Sequence, residues 1–390
     1  MYQHITEFQA FLKKEKASAS LLRLPENLVL FSQYWPRYGF AFLFIPAVGT
    51  PVVICPNVEM EDTVEVGISN AIGFGDVLLS DGDPVKNVTD ILRRLSREYC
   101  LGERPRIAVE GGEDVIAPTF VANKVQLCGE TTQRILRAGF ETDDFIYVKE
   151  AILGIRCFKN ERDLEKLELV NSVLQESLDH FEELLQTPGI REVDLLAETQ
   201  AYFMKLACGY RGARGVARTF GQLSTGPERS LVAWADGIVS CGREVQDGDV
   251  AMYEVGACMD GYWADLTRTG CVGGFRGKSL EAYEAVKGAF EAGVAAARDG
   301  VTGHDVDAAC RTFLEECGLG EYFVHAAGHG TGFAHSEGFP HLKPGSQDVL
   351  RTGMVVAIEP GVYIPGIGGI RVENNVVVGQ TGGRVLGQNR

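Results

Sequence analysis

Residues 250–272, VAMYEVGACMDGYWADLTRTGCV, contain two apolar segments separated by Asp260-Gly261. Asp-Gly between two strand-forming segments is a hairpin signal, so we predict one antiparallel strand on each side of it. With this turn, Glu254 lies opposite or diagonal to Asp265, with Cβ atoms roughly 4.5–8 Å apart. Two carboxylates therefore share one face of the hairpin.

A second hairpin is predicted over residues 354–378, around the glycine-rich loop 365–369. The centre of that loop places Glu359 across from Glu373 on neighbouring strands. An imidazole joins them from His329, whose flanking glycines permit close approach of the backbone. These acidic residues either face solvent, as on many surface hairpins, or converge as four carboxylates and one imidazole.

Convergence is the interpretation that we favour, because it arises from two matching pairs. Four carboxylates on one face repel one another unless protons or cations neutralise them. The set suits two divalent ions, since four negative charges then balance four positive charges. A water that bridges the two ions becomes a nucleophile at neutral pH. We therefore expect a dinuclear metal site.

The whole chain divides into two predicted domains. Its 390 residues are 45% apolar and 23% charged, with a mean hydropathy of -0.01, which is a globular composition. Residues 1–155 alternate apolar runs with helical stretches, which is typical of an α/β domain. The apolar runs are 28–31, 40–45 and 52–55, and a helix is expected over 85–97. From Asn160 to Pro188, apolar residues recur every three or four positions, which predicts a long amphipathic helix opening a second domain, 156–390.

The second domain is predicted to be α+β, with helices over a mostly antiparallel sheet. Its further helices are expected over 192–208, 280–298 and 305–317, and its strands over 250–257, 262–272, 354–359 and 370–378. Neither domain shows an internal repeat or a low-complexity tract.

The charge balance excludes several classes of partner. A net charge of -16 opposes binding to a phosphate backbone or an anionic membrane, so we expect no nucleic-acid and no membrane partner. The uncharged stretch 38–58 contains three prolines and a Gly-Thr-Pro turn, which indicates a buried hairpin instead of a membrane span. Ten scattered cysteines without a CxxC pair, and an N-terminus without an apolar signal core, favour a cytoplasmic protein.

Four motifs in order carry a resemblance to a known family. They are Glu254-x-Gly-x-x-x-x-Gly-Tyr-x-x-Asp265-x-Thr-Arg-Thr, His325-x-x-Gly-His329-Gly-x-Gly, Ile358-Glu359-Pro-Gly and Gly-Ile-Arg371-Val-Glu373. From about residue 155 to 385 the chain resembles the pita-bread family of prolidase, aminopeptidase P, methionine aminopeptidase and creatinase. The preceding segment is similar to the N-terminal domain of the creatinase and prolidase branches. The resemblance implies an α/β domain, an α+β pita-bread catalytic domain and a homodimer.

The resemblance also implies a role for each motif residue. Asp265 and Glu373 would bridge two divalent metal ions, drawn from Mn, Co, Fe and Zn. His329 and Glu359 would complete the site of one ion, and Glu254 that of the other, so filling of the second site depends on Glu254. Glu359 would also be the proton shuttle.

Two departures from the family pattern concern this site. The metallopeptidases have Asp at the first ligand position, whereas Glu254 has one more methylene, so its carboxylate must retract or shift the second ion. No histidine occurs between His180 and His304, where the family places one. Ser336 stands where the family places another, beside His335. Two substrate-handling histidines are therefore absent or displaced.

Further residues are candidates for catalysis and substrate binding. The catalytic candidates are Glu359, His325 and Glu254. The candidates for lining the pocket are Arg218, Phe220, Trp234, Asp236, His325 and His335, and Arg371 is expected to support the metal ligands or contact substrate.

Each of these candidates has a structural alternative. Phe220 and Trp234 are otherwise core aromatics, and Arg218 is otherwise a surface or ion-pair residue. Residues 34–38, Tyr-Trp-Pro-Arg-Tyr, either pack within the N-terminal domain or form a lid that the partner subunit contributes.

Three functions are consistent with these residues. The first is a metal-dependent hydrolase of a C–N bond in a small substrate, such as a proline-type dipeptide or a peptide N-terminus. The second is a metal-independent C–N hydrolase of a small zwitterion, resembling creatinase or ectoine hydrolase, in which Glu254 is a base or nucleophile. The third is a non-catalytic pita-bread module that binds peptides or proteins. We favour the first, because all five ligand positions keep an oxygen or imidazole donor.

Overall fold

The computed structural model describes residues 2–37, 40–75, 83–110, 113–114, 126–127, 129–209, 217–234 and 240–388. The chain forms two compact units, Met1–Arg156 and Cys157–Arg390. Within the ranges just given, no helix has both the length and the apolar composition needed to span a bilayer.

The first unit is built around a six-stranded mixed sheet. Its strands are β1 Ala19–Leu22, β2 Phe42–Pro46, β3 Val52–Pro56, β4 Ala71–Phe74, β5 Ile107–Val109, β6 Glu113–Asp114, β7 Gln126–Leu127 and β8 Phe145–Tyr147. Its helices are α1 Tyr2–Lys14, α2 Pro25–Ser32, α3 Met60–Glu65, α4 Pro84–Glu98, α5 Glu130–Phe140 and α6 Lys149–Arg156. The order of the main sheet is β4-β3-β2-β1-β5-β8, and β6 pairs with β7 separately.

The predicted α/β class of this domain is confirmed. The uncharged stretch forms the predicted hairpin, in which β2 pairs antiparallel with β3 and both strands are buried. The apolar run 28–31 lies in α2 instead of a strand. Pro25 accounts for this difference, because proline is favoured in the first turn of a helix. The apolar residues 28–31 that follow it in α2 are all buried.

The second unit combines five helices with three antiparallel sheets in its described residues. The helices are α7 Glu161–Leu185, α8 Glu192–Ala207, α9 Gly226–Arg229, α10 Lys278–Ala296 and α11 Gly303–Glu316. The strands are β9 Ala217–Thr225, β10 Val250–Met259, β11 Tyr262–Cys271, β12 Gly328–Gly330, β13 His341–Leu342, β14 Val355–Ile358, β15 Gly361–Ile364, β16 Gly368–Arg371, β17 Asn374–Val377 and β18 Arg384–Val385. The sheets run β11-β10-β9, β13-β12-β14-β17-β18 and β15-β16. The predicted α+β class is confirmed.

Helix α7 begins where the sequence indicates. The side chain of Asn160 accepts a hydrogen bond from the backbone N–H of Asp163, and Asp163 accepts one from the N–H of Asn160, which is a capping box. The buried face of α7 includes Leu167, Val170 and Leu174, at the spacing that predicted the helix.

The register of the first hairpin determines how the two carboxylates lie. Glu254 pairs with Thr267 and Gly256 pairs with Asp265, so Glu254 and Asp265 are diagonal neighbours, one of the two predicted arrangements. Strand β9 was not predicted. It adds to the other edge of β10, with Phe220 opposite Gly256, and its polar residues and glycine gave only a weak strand signal.

The second hairpin keeps its predicted register but is broken at the site. Ile358 pairs with Asn374 in the five-stranded sheet, whereas Gly361 pairs with Arg371 in the two-stranded sheet. Pro360, which has no N–H to donate, stands at the break. The break leaves Glu359 at the end of β14 and Glu373 at the start of β17, on the same side of the junction between sheets.

Candidate metal centre

One face of the β9–β10–β11 sheet supplies the first part of the site. Directly paired residues of antiparallel strands lie on the same face. Phe220, Gly256 and Asp265 form one row across the three strands, and Glu254 and Thr267 lie in the neighbouring row. The register therefore brings two carboxylates and an aromatic ring to one surface.

Asn375 joins this sheet to the five-stranded sheet at Asp265. Its side-chain amide donates to the carbonyl of Asp265 over 3.0 Å and accepts from the N–H of Asp265 over 3.0 Å. Two residues earlier, the N–H of Glu373 donates to the carbonyl of Thr267 over 3.2 Å. These bonds bring the C-terminal hairpin, with its two glutamates, against the first hairpin.

Two groups of donor atoms converge at this junction. One ligand atom from each of Asp265, His329 and Glu373 lies within 4.8 Å of the others, and we call this set triad A. Glu254, Asp265 and His335 meet the same criterion and form triad B. The family resemblance implies that Asp265 and Glu373 are the bridging ligands; Asp265 belongs to both triads, whereas Glu373 belongs to triad A alone.

Glu359 lies beside triad A. Its Oε1 is 3.8 Å from Nε2 of His329, which is itself 3.5 Å from Oδ2 of Asp265. Thr267 Oγ1 donates to Glu373 Oε2 over 2.6 Å and so fixes the fourth carboxylate. All five ligand residues implied by the sequence are thus brought together.

Arg371 is a buried cation that contacts this group of carboxylates. Its side chain is 3% exposed, and its guanidinium donates to Glu254 Oε2, to Thr267 Oγ1 over 3.0 Å and to Tyr363 Oη over 3.1 Å. Its Nε lies 3.9 Å from Glu359 Oε2. Through these contacts, the buried Arg371 joins Glu254 to Thr267 and Tyr363.

His325 is connected to the site through Tyr363. Nδ1 of His325 lies 2.8 Å from the carbonyl oxygen of Ala326, and Nε2 lies 3.0 Å from Tyr363 Oη. Because a carbonyl only accepts, Nδ1 carries the proton and Nε2 accepts from the tyrosine. Burial, together with the charge of Arg371, lowers the pKa of His325 to about 3, so the neutral ring is the relevant form.

The buried carboxylates have strongly shifted pKa values. Burial raises the pKa of Glu359 to about 8, against the charge of Arg371 and with the charges of Asp265 and Glu254. Burial and the charges of Asp265 and Glu359 also raise the pKa of Glu373 well above its ordinary value. Burial opposes charge on Asp265 too, but the charges of His335 and His329 lower its pKa.

These residues fit divalent metal ions. Burial and the neighbouring carboxylates both disfavour the ionised forms of Glu359 and Glu373, and Arg371 is the one buried guanidinium that contacts this group among the described residues. Oδ1 of Asp265 is buried and accepts no hydrogen bond of good alignment from the described residues. Carboxylate and imidazole donors are the ligands that Mn, Fe, Co and Zn take in proteins.

The predicted pocket residues lie in different places. Arg218 and Phe220 share the site face of β9, and the guanidinium of Arg218 stacks over the ring of Trp263 with 4.9 Å to the centroid. Trp234 is 50% exposed, so it is not a core aromatic. Asp236 lies outside the described residues.

His335 and the N-terminal aromatic segment have clear surroundings. The His335 ring packs against Phe220, with 4.9 Å between ring centroids, and its Nε2 lies 2.9 Å from Oδ1 of Asp265. Tyr34 is buried within the first unit, and its hydroxyl donates to Glu59. These contacts correspond to the predicted alternative in which the aromatic segment packs within the N-terminal domain. Tyr38 lies outside the described residues.

Sequence reasoning missed four residues that shape the site. They are Thr267, Tyr363, Asn375 and Trp263. Thr267 and Trp263 stand inside the first motif, where strand alternation with Asp265 places them on the same face, so that signal was available. Tyr363 and Asn375 had no such signal, because their contacts depend on how the two sheets meet.

Relatives support the interpretation of these features. The chain is 33% identical over 244 residues to the Xaa-Pro dipeptidase of Pyrococcus furiosus, a match that covers 62% of this chain and 66% of that protein. It is 26% identical over 393 residues to the putative dipeptidase YkvY of Bacillus subtilis, covering 98% of this chain and 97% of that protein. The solved prolidase of Pyrococcus horikoshii superposes with a TM-score of 0.78 at 24% identity, covering 100% of this chain and 99% of that chain.

The fold and the site define a hydrolase of the metallopeptidase class. The model of metallopeptidase family M24 matches residues 165–380, more than half of the chain, and the protein belongs to that family. The predicted two-domain pita-bread fold is confirmed, and the non-catalytic and metal-independent alternatives are not favoured.

Proposed function

We infer that this protein hydrolyses the peptide bond before proline in small peptides. The observation that carries this proposal is the sharing of Asp265 between two donor triads in a chain of family M24. The similarity to the Xaa-Pro dipeptidase of Pyrococcus furiosus supports the substrate class. Two divalent ions would be held by Glu254, Asp265, His329, Glu359 and Glu373.

Bound divalent ions supply Lewis acidity for the carbonyl and lower the pKa of water. Glu359 is the proton carrier of this proposal. Its position, 3.8 Å from His329 and 3.9 Å from Arg371, puts it at the edge of the donor group. A carboxylate there takes a proton from the attacking water and, now as the carboxylic acid, passes it to the leaving amine.

Arg371 changes the charge balance expected from the sequence. The balance of four carboxylates against two divalent ions left out the guanidinium that contacts Glu254. With Arg371 included, the loaded centre has an excess of one positive charge. Such an excess favours an anionic group next to the ions, which suits a hydroxide or the carboxylate of a short peptide.

An aromatic surface next to the donors supports a proline substrate. The rings of Phe220 and Trp263 lie 6.1 Å apart on the face that carries Asp265. A pyrrolidine ring is apolar and flat enough to pack on such a surface. Arg218, stacked on Trp263, is placed to hold the terminal carboxylate of a dipeptide.

The finer properties belong to the same proposal. The metal is Mn, Co, Fe or Zn, and manganese is the first to test. The nine cysteines in the described ranges are thiols instead of disulfides, which supports a reducing compartment such as the cytoplasm. A homodimer remains an expectation from the family resemblance.

Metal analysis combined with dipeptide cleavage tests the proposal. The protein is purified without chelators, its metal content is measured by mass spectrometry, and cleavage of Ala-Pro is compared with that of Ala-Ala. We expect about two equivalents of metal, preference for Ala-Pro, loss of activity with a chelator and recovery with Mn²⁺. Asp265→Asn should abolish both cleavage and tight metal binding. Folded, metal-free protein that is inert towards Ala-Pro would overturn the proposal and favour a metal-independent hydrolase.

A further inference from the structure

His335 lies beside the donor group, although it is not one of the five expected ligands. Its Nε2 lies 2.9 Å from Oδ1 of Asp265, and triad B joins these two residues to Glu254 within 4.8 Å. Triad A joins Asp265 to two other expected donors, His329 and Glu373. The two triads therefore meet at Asp265 and extend to different imidazoles.

The imidazole of His335 is held in place by strand β10 and its neighbours. Gly256 has no side chain, and a Cβ there would lie 2.6 Å from Cδ2 of His335. Phe220 packs on the ring from the adjacent strand. Thr331 Oγ1 donates to the carbonyl of His335 over 2.9 Å, which fixes the backbone of the loop. The ring is buried, so its position is set by packing.

The contact between His335 and Asp265 has the geometry of two ligands. Nε2 of His335 and Oδ1 of Asp265 lie 2.9 Å apart, so a single ion can contact both atoms. Glu254 is available on the same side, because its contact with Arg371 uses Oε2 and a carboxylate has a second oxygen.

We propose that His335, together with Glu254 and Asp265, binds one of the two divalent ions. The centre then has six protein ligands, and each ion has its own imidazole, His335 for one and His329 for the other. This inference rests on the proposed function only in requiring a metal centre. It also explains how Glu254 is tolerated: its charge is shared with Arg371, and the imidazole adds a ligand that offsets the weaker carboxylate.

The chemistry of triad B specifies the class of ion. Imidazole nitrogen suits Zn, Co, Fe and Ni, whereas Mg and Ca take sites made of oxygen alone. An ion at triad B is therefore a first-row transition metal. Mg²⁺ should not replace it at equal concentration.

Titration with Co²⁺ tests whether His335 binds an ion, and it does not depend on measuring activity. The full chain is stripped with a chelator, dialysed and titrated with Co²⁺, with calorimetry for affinity and visible absorption for the ligand field. We expect two Co²⁺ in the wild type. In His335→Ala we expect one unchanged ion and a second that binds at least tenfold more weakly with an altered spectrum. His180→Ala, which removes a histidine of α7 that stacks on Tyr202, is the control and should bind as the wild type does.

Other outcomes separate this inference from the proposed function. Two Co²⁺ with unchanged affinity and spectrum in His335→Ala would overturn the inference, and a raised KM for Ala-Pro in that variant would assign His335 to substrate. The two proposals can also fail separately. If His335→Ala loses one ion and the wild-type protein does not cleave Ala-Pro, the result would support the inference and reject the proposed function. If His335→Ala does not fold, His335→Asn fills most of the same volume without an imidazole and takes its place in the titration.

Discussion

Lys159 and Glu337 form an ion pair that is closed off from solvent. Nζ of Lys159 lies 3.0 Å from Oε2 of Glu337, and the two side chains are 0% and 1% exposed. Oε1 of Glu337 accepts from the N–H of Phe333 over 2.8 Å, and its own N–H donates to the carbonyl of Gly330. The pair therefore joins the segment that precedes α7 to the loop that carries His335.

Lys159→Met removes the cationic partner of this pair and leaves the Glu337 carboxylate buried with only the N–H of Phe333 as a donor. We expect the free energy of unfolding to fall by about 3–5 kcal/mol. Urea unfolding of the metal-free protein measures it. Lys287→Met is the control, because it removes a pair with Glu284 that is exposed, and it should cost no more than about 1 kcal/mol. Equal losses in the two variants would contradict the importance of the buried pair.

Arg218→Ala tests the proposed carboxylate site next to Trp263. We expect KM for Ala-Pro to rise by a factor equivalent to about 1.5–3 kcal/mol, because a charged hydrogen bond to substrate is lost. Steady-state kinetics on Ala-Pro and on its C-terminal amide measures this. The amide has no terminal carboxylate, so its KM should be the same for both proteins. An unchanged KM for Ala-Pro would remove Arg218 from the site.

Glu110, in the first unit, gives a pH-dependent stability. Its carboxyl group is 7% exposed and accepts hydrogen bonds from Asn27 Nδ2 over 2.7 Å and from the backbone N–H groups of Arg23 and Leu24. Burial raises the pKa of Glu110 to about 7, although these bonds act to lower it. The folded protein therefore binds this proton more tightly than the unfolded chain does.

The sign of the effect follows from that difference. The stabilisation is fully present below the unfolded pKa of about 4.3 and is lost as the pH rises through about 7. Between about pH 5 and 8, the free energy of unfolding of the wild type should fall by about 3 kcal/mol relative to Glu110→Gln, which cannot titrate. Urea unfolding of both proteins across this range measures the difference. Parallel pH profiles would indicate that the hydrogen bonds keep Glu110 ionised throughout.

The first hairpin could be predicted from the sequence because its turn fixes its register. Asp260 and Gly261 both have positive φ, 53° and 88°, as a two-residue hairpin turn of this kind requires. That turn alone determines that Asp265 pairs with Gly256 and that Glu254 is its diagonal neighbour. Local turn chemistry was therefore enough to place two of the four carboxylates.

The surroundings of the carboxylates could not be predicted in the same way. The loop that carries His335 is anchored by the bond between Lys159 and Glu337, which are 178 residues apart in the chain. Arg371 was expected to support the ligands, but its contact with Glu254 depends on how the two-stranded sheet lies against β10. Such contacts depend on packing between distant segments, and periodicity and turn signals carry no information about it.

Asn375→Ala tests whether the junction between the sheets positions the shared ligand. The change removes both amide bonds to the backbone of Asp265 and leaves a buried N–H and a buried carbonyl without partners, so we expect a loss of about 2 kcal/mol or more in stability. Because Asp265 belongs to both triads, Co²⁺ should bind more weakly at both sites, in contrast to a change that affects one triad. Calorimetric titration of the refolded, metal-free variant measures the two affinities.

Asn171→Ala is the matched control for this experiment. Asn171 is also a buried asparagine, but its amide donates to the carbonyl of Leu167 within α7. Its removal should lower stability without weakening either Co²⁺ site. If the two variants lose stability by similar amounts and both keep wild-type metal affinities, Asp265 is positioned by its own strand pairing, and the amide of Asn375 only joins the sheets. If Asn375→Ala alone weakens both sites, the geometry of the metal centre depends on the contact between the sheets as well as on the hairpin that carries Asp265.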